Sequence, residues 1–284
     1  MKQLLGLVFL VLPLAGCGQA TTPTPGTIPA GVSDIQVVIV TDDFAVGRPR
    51  LPFILYDGPQ RVADVQRVTL TALDLSQEPP TPGWSGEATN YSNYVVPYWV
   101  AYPELPQPGF WGLATDITLA DGTTTQAQFA IEVAEESLAP NVGEQPPASH
   151  NRTLETEPDI EKLTSDWEPE PALYQVSIAE AMASGRPTVV TFATPAFCQT
   201  QFCAPVVDSV KEVYLAYGDA VNFIHIEVYK EFSPELVLAN EMTEWGFASE
   251  PWTYVLDSQG RVAGRFGGPV SPSELTDALE NLLS

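Results

Sequence analysis

Residues 187–193, reading PTVVTFA, constrain this chain more than any other segment. An unbroken apolar run of strand length is what a strand covered on both faces requires, and such strands sit in sheets with helices on each side. The neighbouring segments fit that demand. Ser177 and Glu180 make a capping box ahead of SIAEAMAS, a short helix that Gly185 ends. After the apolar run come Cys198 and Cys203, then a helix to about Tyr217 with Val206, Val207, Val210, Val213, Tyr214 and Tyr217 along one stripe. Residues 221–228 read as a second strand, and Ser233-Pro234-Glu235 as the opening of a helix to about Trp245. Trp252–Leu256 and residues 261–266 make a hairpin across Ser258-Gln259-Gly260, and Ser271-Pro272-Ser273-Glu274 caps a terminal helix. The order is a helix followed by β-α-β-α-β-β-α, an α/β pattern.

That order and two local segments resemble the thioredoxin superfamily. Thr191-Phe192-Ala193-Thr194-Pro195-Ala196-Phe197-Cys198 is similar to the segment that delivers the family's reactive cysteine to a helix start. Gly246-Phe247-Ala248-Ser249-Glu250-Pro251-Trp252-Thr253 is similar to the second family signature, in which a cis-proline before a strand lies against the cysteines. Pro251 is the matching residue. The hairpin Asp257-Ser258-Gln259-Gly260-Arg261-Val262 resembles that of extracytoplasmic members. The resemblance implies a thioredoxin-like domain over residues 171–284 and a protein thiol or disulfide as substrate. It also implies that Cys198 attacks, Cys203 resolves and Pro251 shapes the groove, with no cofactor.

A thiol at a helix N-terminus has its thiolate stabilised by the helix dipole and free backbone N–H groups, and Cys198 is expected there. The spacing departs from the family's Cys-x-x-Cys, because four residues separate Cys198 from Cys203. In a continuous helix five residues rise about 7.5 Å, beyond the roughly 4.4–6.8 Å Cα separation that a disulfide tolerates. Either Cys198 lies in the loop before the helix and curls back, or the first turn unwinds. The same spacing resembles that of peroxiredoxins, in which it follows Thr-Pro-x-Cys. Here Thr194 to Cys198 is one residue longer, and Pro195 stands where the peroxide-aligning threonine would be. Two further readings stay open. The cysteines with His225 resemble the soft donor set of Sco-type copper chaperones, or the pair is a structural disulfide in a non-catalytic binding module.

The opening residues, MKQLLGLVFLVLPLAGC, place Lys2 before an apolar run too short to span a bilayer. Leu14-Ala15-Gly16-Cys17 resembles the lipobox of bacterial lipoproteins, which implies a signal peptide over residues 1–16 and diacylglycerol on the sulfur of Cys17. The expected setting is the cell membrane, on its extracytoplasmic face, where disulfides persist. Cys17 being committed to lipid, Cys198 and Cys203 are the one available intrachain pair. A net charge of −24 opposes nucleic-acid binding.

Residues 17–32 are rich in Thr, Pro and Gly and read as a tether. Over 33–135, short runs at 35–40, 51–56, 65–75, 94–101, 110–119 and 127–133 are separated by turns such as Asp57-Gly58-Pro59 and Asp121-Gly122. They predict an all-β sandwich of immunoglobulin-like type, without its disulfide, with Trp84, Trp99 and Trp111 in packing roles. Residues 136–170 turn acidic and Pro-rich, the composition of a self-repelling, extended linker.

Overall fold

The computed structural model describes residues 35–284 except Ser233, so the expected signal peptide and tether, and Cys17 with them, lie outside the described residues. The first half builds two antiparallel sheets. One holds β1 (Ile35–Ile39), β2 (Leu51–Asp57), β7 (Tyr98–Ala101) and β6 (Thr89–Tyr91) in that order, with β3 (Gln60–Arg61) also on β2. The other runs β5 (Thr81–Glu87), β4 (Val65–Asp74), β8 (Gly109–Leu119), β9 (Thr124–Val133). Alternation along the strands sends Leu51, Phe53 and Leu55 of β2 and Val68, Leu70 and Ala72 of β4 into one shared core with Trp99 and Trp111. The Asp121-Gly122 turn joins β8 to β9 as expected. Strands β5 and β6 carry no sequence signal. Their residues are mostly exposed, Pro82 and Gly83 break the pattern, and β5 is a sheet edge, the place where proline is tolerated. The predicted strand over 94–101 forms only from Tyr98.

The second half is an α/β arrangement, one mixed sheet between two layers of helices. Its sheet runs β11 (Asn222–Glu227), β10 (Thr188–Ala193), β14 (Trp252–Leu256), β15 (Val262–Gly267), with β11 parallel to β10 and the others antiparallel. All six residues of β10 are buried. Val189, Phe223 and Val255 face α2 (Cys203–Tyr217) and α4 (Pro272–Leu283) through Val206, Val210, Leu275 and Leu279. Val190, Phe192, Ile224 and Tyr254 face the opposite layer, where α1 (Ile178–Ala183) and α3 (Asn240–Glu244) supply Ile178 and Met242 beside Trp245. The capping box at Ser177 and Glu180 forms as read.

Two expectations are corrected. The helix expected to open at Ser233-Pro234-Glu235 is instead a hairpin of β12 (Tyr229–Glu231) and β13 (Val237–Leu238), Pro234 and Glu235 falling in its bend. Only α3 is helical, ended by Gly246 at φ +72°, where a Cβ would strike the Leu138 carbonyl. The acidic stretch 136–170 is not an extended linker but a strap laid along the second half. Its self-repulsion is outweighed by docking: Leu163 enters the core, Ser149 Oγ accepts from Trp245 Nε1, and Asn151 accepts from the Ile178 N–H. Asp166 docks on Lys211 at 2.5 Å, whereas its neighbour Trp167 is 90% exposed.

The two halves share one compact unit, held across its middle by a buried ion pair. Arg50, which precedes β2, grips Glu274 of α4 through both carboxylate oxygens at 2.7 and 2.8 Å and donates to the carbonyls of Gly267 and Pro269. The Tyr98 hydroxyl donates to the same carboxylate at 2.6 Å and accepts from the Ser271 N–H. Burial alone would lower the Arg50 pKa, but the charge and hydrogen bonds of Glu274 outweigh it and hold the guanidinium ionised. Arg265 and Asp43 form a second pair. Gly268, at φ +76°, lets its backbone approach the Val40 carbonyl, where a Cβ would collide.

Removing one partner of a buried pair strands the other charge, at a cost of about 3–5 kcal/mol. We therefore expect Arg50→Ala to lower stability by that amount while the transition stays single, as read by urea unfolding followed through tryptophan fluorescence. A loss below about 1 kcal/mol would show that the pair does not hold the halves together.

Candidate functional site

Strand β10 ends at Ala193, and the turn that follows brings Phe197 N to the Thr194 carbonyl at 3.3 Å. Residues 198–202 are non-helical, and α2 starts at Cys203. The chain therefore curls, so that Cys198 and Cys203 are disulfide-bonded with Cα atoms 6.0 Å apart, inside the range the bond requires. This settles the spacing question in favour of the loop. It also corrects the placement of Cys198: the helix start belongs to Cys203, preceded by Phe202 as the cap and followed by Pro205, which has no N–H. Stabilisation by the helix end, which acts within the first turn, therefore falls mainly on Cys203.

The two sulfurs differ in access. Cys203 is fully buried with Ala193 and Val207, whereas Cys198 is half-buried at the edge of that cluster and lies 3.2 Å from the Thr200 hydroxyl. The register Phe192↔Trp252 brings Pro251 beside Ala193, and the Glu250–Pro251 peptide is cis. With no N–H on proline, the β10–β14 ladder stops there. The disulfide joins Cys198 to Cys203, and Glu250, the residue before Pro251, has a carboxylate oxygen within 4.8 Å of both sulfurs.

Sequence reasoning missed two carboxylates. Glu250 has an oxygen within 4.8 Å of both sulfurs. Burial pushes its carboxyl pKa up; the Gln199 backbone N–H opposes that rise and the charge of Glu227 adds to it. Glu227, at the end of β11, is buried; its Oε2 accepts from the Ser165 N–H and hydroxyl at 2.8 and 2.7 Å. Ser165 in turn accepts from Ala196 N in the cysteine loop. A charge inside the apolar run VNFIHIEV, and one directly before the signature proline, were the available signals.

His225 is not part of the cysteine site. Its Nε2–H donates to the Ala193 carbonyl at 3.0 Å and its Nδ1 accepts from the Tyr174 hydroxyl at 2.7 Å, so both ring nitrogens are engaged by the neutral form. The copper reading through His225 loses its third ligand. Two surfaces border the sulfurs. A cleft of about 430 Å³ lies between the cysteine loop and the first half, lined by Val38, Ile54, Tyr56, Gln201 and Glu250, with Arg61 bonded to Gln201 across it. On the other side Phe197 packs on Tyr229 and Phe232 beside the exposed Leu236, Val237 and Leu238.

No family model and no curated protein matches this chain. Among solved structures it is similar to a thiol:disulfide interchange protein, a thioredoxin family protein from Chlorobium tepidum TLS, at 16% identity and TM-score 0.36, over 51% of this chain and 100% of that one. A DsbF homologue from Corynebacterium diphtheriae is 21% identical with TM-score 0.31, covering 38% of this chain and 77% of its own. CopC from Methylosinus trichosporium OB3b is 11% identical with TM-score 0.26, covering 35% and 94%.

Burial is the main cause that lowers the His225 pKa, partly offset by the charge of Glu227 and the Ala193 hydrogen bond, with Asp166 and Lys211 acting in opposite directions. A histidine with a depressed folded pKa leaves stability intact above the unfolded value of about 6.5 and loses it as pH falls below that value. We expect the urea midpoint to fall between pH 7 and pH 5 and His225→Gln to flatten that fall. An equal slope in the variant would remove His225 as its source.

Proposed function

We propose that this chain is an extracytoplasmic thiol-disulfide exchange protein, tethered to the membrane by lipid on Cys17 and acting on protein thiols or disulfides. The single observation that supports it most is the unequal pair beside a cis-proline: a reachable Cys198 joined to a buried Cys203 at a helix start. In this reading the Cys198 thiolate attacks a substrate disulfide and one substrate thiolate leaves. The Cys203 thiolate then attacks the Cys198 sulfur, re-forming the internal bond and releasing the second substrate thiolate. Two electrons pass from the pair to the substrate. Pro251 leaves an adjacent backbone edge without a donor, where an extended substrate segment can lie.

The first half, in this proposal an immunoglobulin-type sandwich over residues 33–135, walls one side of the sulfurs and positions them for partners. No described helix is long and apolar enough to cross a membrane, so in this reading the lipid on Cys17 is the attachment. Full burial of Cys203 supports a second reading, a structural disulfide in a binding module.

Insulin reduction separates the two readings. Cys198→Ser is expected to lower the catalysed rate to background, and Cys203→Ser to accumulate a mixed disulfide through Cys198. Wild-type protein that never exceeds the uncatalysed rate would favour the binding module.

A further inference from the structure

Once the disulfide opens, the donor atoms around it outnumber what thiol exchange needs. Sulfurs of Cys198 and Cys203 and a carboxylate oxygen of Glu250 lie within 4.8 Å of one another. In a tetrahedral zinc site, with Zn–S near about 2.3 Å and Zn–O near about 2.0–2.2 Å, neighbouring donors stand roughly 3.3–3.8 Å apart. Opening the S–S bond lets the sulfurs separate toward that spacing, since Cys198 sits in a non-helical loop while Cys203 is fixed on α2. We propose that the reduced pair and Glu250 form a redox-gated site for Zn²⁺, with water as the fourth ligand.

The donor set selects the ion. Two thiolates and one carboxylate oxygen suit Zn²⁺, whereas monovalent copper prefers sulfur alone and the hard divalent ions prefer oxygen. The Gln199 backbone N–H favours the charged form of the Glu250 carboxylate, the kind of outer support that metal carboxylates commonly have. Thr200, Gln201 and Ser249 line the cleft beside Glu250, which gives the water ligand a polar surround. His225, with both nitrogens engaged, takes no part.

The gate is the disulfide itself. A partner dithiol gives two electrons and two protons, becoming a disulfide as Cys198 and Cys203 become thiols. Zn²⁺ then displaces both thiol protons to water and holds both sulfurs, which can no longer attack a substrate. This rests on the reading that the disulfide is reducible, and it adds a state in which the exchange protein is held inactive by metal.

The test uses the full chain carrying Cys17→Ser, reduced without oxygen, with thiols counted before zinc is titrated against a chromophoric chelator. The expected result is two thiols, one zinc per reduced chain, none for the oxidised chain, and at least tenfold weaker binding for Glu250→Gln with both thiols still counted. Cadmium in place of zinc should give the near-ultraviolet thiolate charge-transfer band in the wild-type chain, a readout independent of how the variant folds. Two counted thiols with no zinc taken up and no cadmium band would overturn the zinc site and leave the exchange reading standing. Glu250→Gln binding as tightly as wild type would overturn it as well. A chain in which no thiols appear after reduction would sink both.

Discussion

Strand β10 is the constraint on which the rest of the second half depends. With all six residues buried, it must have a strand on each side and helices on both faces, and β11, β14, α1 and α2 supply them. Its last residue is where the candidate site begins. Ala193 is flanked by Glu227 on β11 and Pro251 before β14, its carbonyl is held by His225, and its side chain packs on Cys203. The disulfide thus follows a fully buried strand, while Cys198 itself lies in the non-helical loop before α2.

The first half does more than precede this site. Phe202, the residue before α2, packs into Ile54, Tyr98 and Val100 of the first sheet and the nearby Val96, so the helix that carries Cys203 starts against that sheet. Arg50, Tyr98 and Glu274 lock the same junction from below with charge-assisted bonds. One approach to the sulfurs is therefore walled, and the open sides are the cleft and the aromatic patch around Phe197. The acidic strap contributes too, because Ser165 links Glu227 to the cysteine loop.

Much of this was legible in the sequence where one local rule dominates. The run PTVVTFA, the Ser177 and Ser271 caps and the Asp121-Gly122 turn each follow from a single preference that tertiary packing did not oppose. What escaped depends on partners far along the chain. Glu274 reads as a helix-start acid, yet its carboxylate is taken by Arg50 and Tyr98, more than 170 positions away. The strap reads as a repelling linker because composition does not reveal that Ser149, Asn151 and Leu163 will be buried. Likewise Ser233-Pro234-Glu235 carries a helix-start pattern, but the strand residues 229–231 pair with 237–238 across it. The site itself was half visible: the cysteines and Pro251 by motif, Glu250 and Glu227 only once the sheet register set them around Ala193.

Thiol-disulfide exchange by this chain requires the Cys198–Cys203 bond to be a working couple rather than a brace. Equilibrating the chain across a series of dithiol/disulfide buffers and weighing the oxidised and reduced forms by mass spectrometry measures this directly. A midpoint above about −300 mV, in the range of exchange proteins, is the expected result. A midpoint well below that value would mean a bond that partner dithiols leave untouched, and the exchange account would be wrong.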